Sequence, residues 1–513
     1  MRFPISTRRA SAAGDVAGLR ADPVSRPGAD ARLRASCAPP SLGTRPAPAS
    51  CPRFGRVTPP RASKPDPLRV ALVTGLAVGS LLAWVGGAAG ITFLDTNYGT
   101  PSGPALGRAA AMGATGVAQL QGSEAVVQNP ALLALEAERV RLDFLAGVTQ
   151  ATEDRMVPLF DSFNSFVDET TIASNRNTYA DAQGGVTWRL PADVPMALAA
   201  GVFDRYDFDY DYFEEVREPS PFAEGRDLLL GQRTLAVDGV LRALSAGYGA
   251  EIVKNVHLGL SVHRYFGSVD YLARIDSTVT GGTTRTTEVA ELERDLAGWG
   301  WSMGGHASVG PRFDVGVSFE GPVTVSGTHR VSCQEIGPPA AASTTSTEAE
   351  IEYPGSLRFG ISFRPQNVLA TQFAVEAVRQ FWNDLDDTFD SSTRCAADIP
   401  RDTLALHDTW EFRVGLEHLF YNQLPVRFGF RYLENYADAE SDRSIFSLGV
   451  GYTVQSIRID ASALYQRQTS RQDFLFDPNL GQDGNGNQFV SPNSDTKVED
   501  SVLRFVVGIS AVF

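Results

Sequence analysis

The sequence predicts an all-β protein, a transmembrane antiparallel β-barrel of about 14 strands with a helical or irregular amino-terminal segment inside its lumen. Three observations carry this. From about residue 138 onward, apolar and polar residues alternate with period two, the pattern of strands with one oily and one wet face. Tight and long connections alternate along the same stretch. The chain also ends on an apolar strand whose final residue is Phe513.

The amino-terminal part is of a different kind. Residues 1–90 carry 13 Lys and Arg against 4 Asp and Glu, whereas the remaining 423 residues carry 32 against 56. Residues 1–68 hold 12 of the 30 prolines and no apolar period. They read as disordered, or as lying upstream of a true translation start near Val57 or Leu68. The acidic body has no basic stripe to neutralise phosphates, which excludes nucleic acid as a partner. Next, "LRVALVTGLAVGSLLAWVGGAAG" has the grammar of a secretory signal over 69–90. Arg69 flanks an apolar core from Val70 to Val85, and Ala88-Ala89-Gly90 supplies small residues for cleavage. An uncleaved anchor is the alternative, but the core falls short of the roughly 20 residues a spanning helix needs.

The strands follow from 138 to 513. In "MALAAGVFDRYDFDYDY", even positions give Met196, Leu198, Ala200, Val202, Tyr206, Phe208, Tyr210 and Tyr212, while odd positions are small or charged. This predicts a lipid-facing strand ending in an interfacial aromatic girdle, broken only at Phe203-Asp204. In "WEFRVGLEHLF", Phe412, Val414, Leu416 and Phe420 oppose Glu411, Arg413 and Glu417. In "SVLRFVVGISAVF", Leu503, Phe505, Val507, Ile509, Ala511 and Phe513 share one face. A terminal aromatic on such a strand resembles the signal by which outer-membrane barrels are recognised for assembly, which makes the barrel-assembly machinery a partner. Bilayer strands need paired neighbours on both sides, so the sheet must close.

Tight turns are expected at 191–195, 254–255, 311–312, 364–367, 421–425 and 454–456. Long outer loops are expected near 151–176, 210–232, 277–288, 332–350, 383–408, 436–443 and 470–499. Six turns and seven loops join fourteen strands, with short periplasmic and long outer connections.

A barrel this wide leaves an aqueous lumen unless something fills it. The stretch "GRAAAMGATGVAQLQGSEAVVQNPALLAL" (107–135) is small, Gly- and Ala-rich and nearly uncharged, and directly precedes the first strand. Such a segment can fold into the lumen as a plug. With "SGPALGRA" (102–109) and "NPALLAL" (129–135), it resembles the hatch of the FadL family of outer-membrane long-chain fatty-acid transporters. The resemblance implies a fourteen-stranded barrel over 138–513, a hatch over 91–137, and lateral opening through the wall at a kinked strand. It implies uptake of long-chain fatty acids or other hydrophobic compounds into the periplasm, with no catalysis. On the family's motif fall Asn129, Pro130 and Ala131, with Arg108 upstream. "AAAMGATGVA" (109–118) is also similar to hatch barrels that serve type IX protein secretion, which is the alternative function. A general diffusion porin is a third. By itself, Asn129-Pro130 is also an ordinary start of a short helix.

Other site expectations follow from the residues. In "MVPLFDSFNSFV" (156–167), apolar residues at helical spacing, Phe160 and Phe163 among them, predict a surface helix that captures a greasy ligand, or that packs on the barrel mouth. Arg108 is expected to bind a ligand carboxylate or to anchor the hatch. Asp207, Asp209, Asp211, Glu214 and Glu215 read as a solvated acidic face, with cation bridging to lipopolysaccharide the alternative. No metal site and no cofactor are expected. The six histidines form no HExxH-like spacing and no Gly-x-Ser-x-Gly elbow occurs, which argues against an enzyme. Cys37 and Cys51 precede the signal. Cys333 and Cys395 flank one hairpin in oxidising surroundings and are expected to form a disulfide. The expected partners are hydrophobic small molecules, outer-membrane lipid and lipopolysaccharide.

Overall fold

The computed structural model describes residues 95–513 apart from 104–106, 161–162, 164, 218–228, 280–282, 336–340, 367–369, 386–405, 422–423, 439–440 and 473–495. Residues 1–68, the expected signal over 69–90 and Cys395 lie outside the described residues.

Fourteen antiparallel strands close into a barrel. The first six are Val140–Phe160, Phe166–Arg189, a broken third made of Met196–Asp207 and Tyr210–Arg217, then Leu229–Val253, Val256–Val279 and Thr283–Val309. The seventh (Phe313–Glu320, Val323–Glu335) and eighth (Ala341–Tyr353, Ser356–Phe363) are also broken, at Gly321-Pro322 and Pro354-Gly355. Proline cannot donate to a ladder, so each sequence pair marks a kink. Ala370–Gln380, Thr409–Phe420, Leu424–Leu433, Arg443–Val454, Ile457–Gln472 and Thr496–Val512 complete the set. The first and last strands pair from Arg141↔Val512 to Met156↔Lys497, so the sheet has no edge there for lipid to meet.

All six expected tight turns fall at the connections of consecutive strands, although Leu424, Pro425 and Val454 themselves belong to strands. The alternation also orients the last strand as expected: Phe505, Val507, Ile509 and Phe513 are exposed while Val506 is buried. Likewise Phe412, Val414 and Phe420 face out, and Glu411 and Arg413 face in.

The outer loops are shorter than expected because the strands run on. Residues 151–160 pair with the second strand, and 151–156 also with the last, which removes the expected helix over 156–167. Backbone pairing within the first hairpin outweighs apolar residues at helical spacing. Strand likewise occupies much of 210–232, 277–288 and 332–350. The third strand gives the sharpest correction. Up to Val202 its even residues face lipid as expected, but a register shift follows between Asp204 and Tyr206. A one-residue slip turns every later side chain to the other face. Tyr206, Phe208, Tyr210 and Tyr212 are therefore buried in the lumen and form no girdle.

Cys333 is disulfide-bonded. Pairing with Cys395 remains the expectation, and non-reducing peptide mapping should recover a peptide joining the two. Recovery of Cys395 as a free thiol would refute it.

Candidate functional site

The stretch 107–135 lies inside the barrel as irregular chain with short helices at Arg108–Ala111 and Ala125–Gln128 and a 3-10 turn at Pro130–Leu135. Irregular buried backbone leaves donors and acceptors that something must satisfy. Here the barrel wall does so. Glu376 accepts the amides of Gly116 and Val117, both at 2.6 Å, and Asp143 accepts that of Ser123 at 2.7 Å. Ser447 accepts from Gly113 and donates to the Ala111 carbonyl, and Arg413 donates to the Ala114 carbonyl. Apolar packing adds Val126, Leu132 and Leu133 against Ala197, Ala199 and Phe203.

The Asn-Pro-Ala motif has a physical role at each position. The Asn129 Oδ1 accepts the Ala131 amide and so caps the 3-10 turn, while its Nδ2 donates to the carbonyls of Val117 (2.7 Å) and Gly305 (3.1 Å). One side chain thus ties the turn to the rest of the segment and to the sixth strand. Pro130 occupies the first helical position, where a missing N–H costs nothing. Ala131 is fully buried, and its amide lies against Gly259, where a Cβ on the glycine would clash with it.

Inward glycines make this seat. A Cβ on Gly259 would strike the Pro130 backbone, on Gly304 the Asn129 side chain, on Gly316 the Val117 carbonyl, and on Gly415 the Met112 carbonyl. One on Gly429 would strike the Gly113 amide. At these five positions the wall carries no side chain, and the segment presses directly on its backbone.

Arg108 is held by the barrel. Its guanidinium grips Glu417 through two bonds of 2.9 and 3.1 Å and reaches Gln372 at 2.8 Å and Gln119. Glu417 in turn holds Arg427, which holds Asp460. Arg108 borders a polar cavity with Ser308, Asp314 and Arg364, apart from the aromatic layer described next. Phe163 sits 87% exposed at the tip of the first hairpin, and Phe160 lies on the strand leading to it. Neither belongs to a helix. Asp207 and Asp209 are buried, with the Asp209 amide on one and the Gly239 amide on the other.

Sequence reasoning missed the luminal aromatic layer. Tyr98 meets Tyr353, Trp382 and Tyr436 edge-on at 5.6–6.4 Å, and Trp382 stacks on Tyr436 at 4.3 Å. Tyr206 lies 4.1 Å from Tyr353, and Phe208, Tyr210, Tyr265 and Leu235 join the cluster. The lone irregularity at Phe203-Asp204 was the available signal. Beneath the aromatics, a cavity of about 40 Å³ separates them from the segment 107–135. That is room for about three waters. Among its lining are Arg205, Arg358, Arg413 and Arg431 against Glu124, Asp204, Glu320 and Glu411. Glu320 joins Arg205 and Arg358, and Glu411 joins Arg413 and Arg431.

The wall beside this layer is open to a degree. The second strand forms a ladder with the third only from Gly184↔Val202 to Arg189↔Ala197. Above that, among the described residues, only side chains bridge the two. Gln183 reaches Asp204 at 3.3 Å, Tyr179 reaches the Asp211 carboxylate at 3.1 Å, and Asn177 reaches the Asp211 carbonyl at 2.7 Å. The kink that carries Tyr206 and Phe208 inward is what leaves this seam.

A closed fourteen-stranded barrel with an apolar outer belt, a filled lumen and inward aromatics beside a wall seam defines an outer-membrane transporter of hydrophobic compounds. Residues 79–474 match the outer membrane protein transport proteins (OMPP1/FadL/TodX), and the chain belongs to that family. The fold is similar to that of a FadL homologue of Pseudomonas aeruginosa (14% identity, 81% of this chain and 100% of that one, TM-score 0.56). It is also similar to the toluene transporters TodX of P. putida (17%, 80% and 99%, TM-score 0.52) and TbuX of Ralstonia pickettii (18%, 80% and 98%, TM-score 0.50). No curated protein matches the chain in sequence.

Proposed function

We propose that the protein moves uncharged apolar molecules, hydrocarbons in the first place, from the outer mouth into the aromatic layer and out sideways through the seam between the second and third strands. The carrying observation is the juxtaposition of that layer with the seam, both made by the kink after Asp204. The segment 107–135 acts as the hatch that blocks the straight path. Its glycine seat and backbone bonds favour a hatch that stays in place while the ligand leaves laterally, and Arg108 serves as its anchor. Four arginines face four carboxylates around the cavity, so a ligand carboxylate gains no net attraction there. Long-chain fatty acids are for that reason second to hydrocarbons. The toluene transporters among the similar structures agree with this ligand class.

Uptake of labelled toluene, hexadecane and palmitate by cells producing the protein tests the reading. Hydrocarbon uptake should exceed that of cells lacking it, and palmitate should compete weakly. No gain for either hydrocarbon, or strong competition by palmitate, would overturn the assignment.

A further inference from the structure

On the lipid-facing wall, directly below the seam, lies an apolar trench of about 530 Å³. Its floor is Ala200 and Ala246, and its sides are Trp188, Leu198, Tyr248 and Leu260. The ladder places these residues side by side across the second to fifth strands: Trp188↔Leu198, Leu198↔Tyr248, Tyr248↔Leu260, and Ala200↔Ala246. The row of Val186↔Ala200 stands two residues below Gly184↔Val202, the pair at which the seam begins. Gly247 backs the floor, and the hatch residue Val126 packs so close behind it that a Cβ there would clash. The wall at this place is one bare backbone thick.

Height gives the trench its meaning. Gln183, at the foot of the seam, stands six residues above Arg189, the end of the second strand. That is roughly 20 Å along a tilted strand and roughly 15 Å of height, near the middle of an apolar band about 25 Å tall. A molecule leaving the seam there emerges at mid-bilayer. The trench begins at Val186, three residues below that point, and runs toward the periplasmic turns at 190–195, along the inner half of the membrane. Its volume lies in the range of small-molecule sites, roughly 300–1,000 Å³.

We propose that this trench is an unloading site, which receives the apolar molecule from the seam and guides it along the outer wall into the inner half of the membrane. The inference rests on the lateral route proposed above. Its place just below the seam, and a lining that is apolar but for Ser261 and the Tyr248 hydroxyl, identify the transported molecule as the occupant.

The full-length protein in intact cells provides the test, with a hydrocarbon carrying a photoreactive diazirine as the probe. Ala200→Trp and Ala246→Trp fill the trench from the lipid side, where bulk meets no protein core. Both variants should remain heat-modifiable barrels and keep photolabelling of the luminal aromatics, while hydrocarbon uptake falls severalfold. Uptake at the wild-type rate in both filled variants would overturn the unloading site. So would native mass spectrometry that finds a membrane lipid held by the wild type and lost from variants with normal uptake. The lateral route is tested separately, by joining Gln183→Cys to Asp204→Cys with a short bis-maleimide. If that bridge leaves uptake unchanged, the seam is not the exit and the route itself fails. If it blocks uptake while filling the trench does not, only the unloading site fails.

Discussion

Deletion of Gly107–Leu135 is expected to leave an assembled barrel that has become an open pore and has lost selective uptake. The segment contributes no strand to the closed sheet, and the first and fourteenth strands pair without it. Assembly should therefore survive, visible as a heat-modifiable band. What the deletion removes is the filling. A fourteen-stranded barrel lies between the filled eight-stranded and the channel-forming sixteen-stranded sizes. Its inner wall at this level is glycine, charge and hydroxyl, which water can occupy freely. Ion conductance in planar bilayers should rise from closed to steadily open, and hydrocarbon uptake should fall to that of simple leakage. Asn129→Ala is the point version. It removes a cap worth about 1 kcal/mol and two buried donors worth about 1 kcal/mol each, roughly 3 kcal/mol of seating in all. That change should produce intermittent conductance and lower uptake at normal barrel abundance. Unchanged conductance and uptake after the deletion would show that 107–135 does not act as a hatch.

The barrel was largely legible in the sequence because the bilayer imposes a strict alternation and a closed ladder. The last strand and the strand at 409–420 have the faces their spelling predicts, and every tight turn was visible from its polar or proline residues. Of the luminal segment, only the turn at Asn129, Pro130 and Ala131 was legible. Asn129, Pro130 and Ala131 stand together because capping and tight seating demand those residue types. The aromatic layer was hidden because it depends on a slip of one residue at Phe203–Tyr206. Period-two reading continues the old face through such a slip and so sends Tyr206 and Phe208 to the wrong side. The glycines of the seat were hidden for another reason. A glycine in a strand does not announce which partner presses on it until the lumen is filled. Charge partners such as Glu376 and Glu320 also lie hundreds of residues from the groups they hold, or on another strand, and spacing does not reveal them.

Two neighbouring glycines separate seating from general strand effects. Gly304 and Gly305 share the sixth strand, one facing the hatch and the other facing lipid. Replacing either by alanine changes backbone freedom alike, so the difference between the variants reports on what each Cβ meets. At 305 it would meet Val317 Cγ1 at 3.4 Å and Leu258 Cδ2 at 3.7 Å, which is ordinary contact. Gly305→Ala should stay within about 0.5 kcal/mol of the parent and behave as wild type. At 304 the Cβ would run into the Asn129 Oδ1 and lie 3.0 Å from Pro130 Cδ. That oxygen cannot swing aside without giving up the Ala131 amide, because the Nδ2 end is fixed on two carbonyls. The strand cannot retreat either, since it is paired on both sides. The hatch must yield, at an overpacking cost of about 1–3 kcal/mol. Gly304→Ala should therefore lower hydrogen-exchange protection across residues 116–131, raise conductance and reduce uptake, with the barrel strands protected as before. Equal exchange and conductance in the two variants would mean that the glycine seat does not hold the hatch in place.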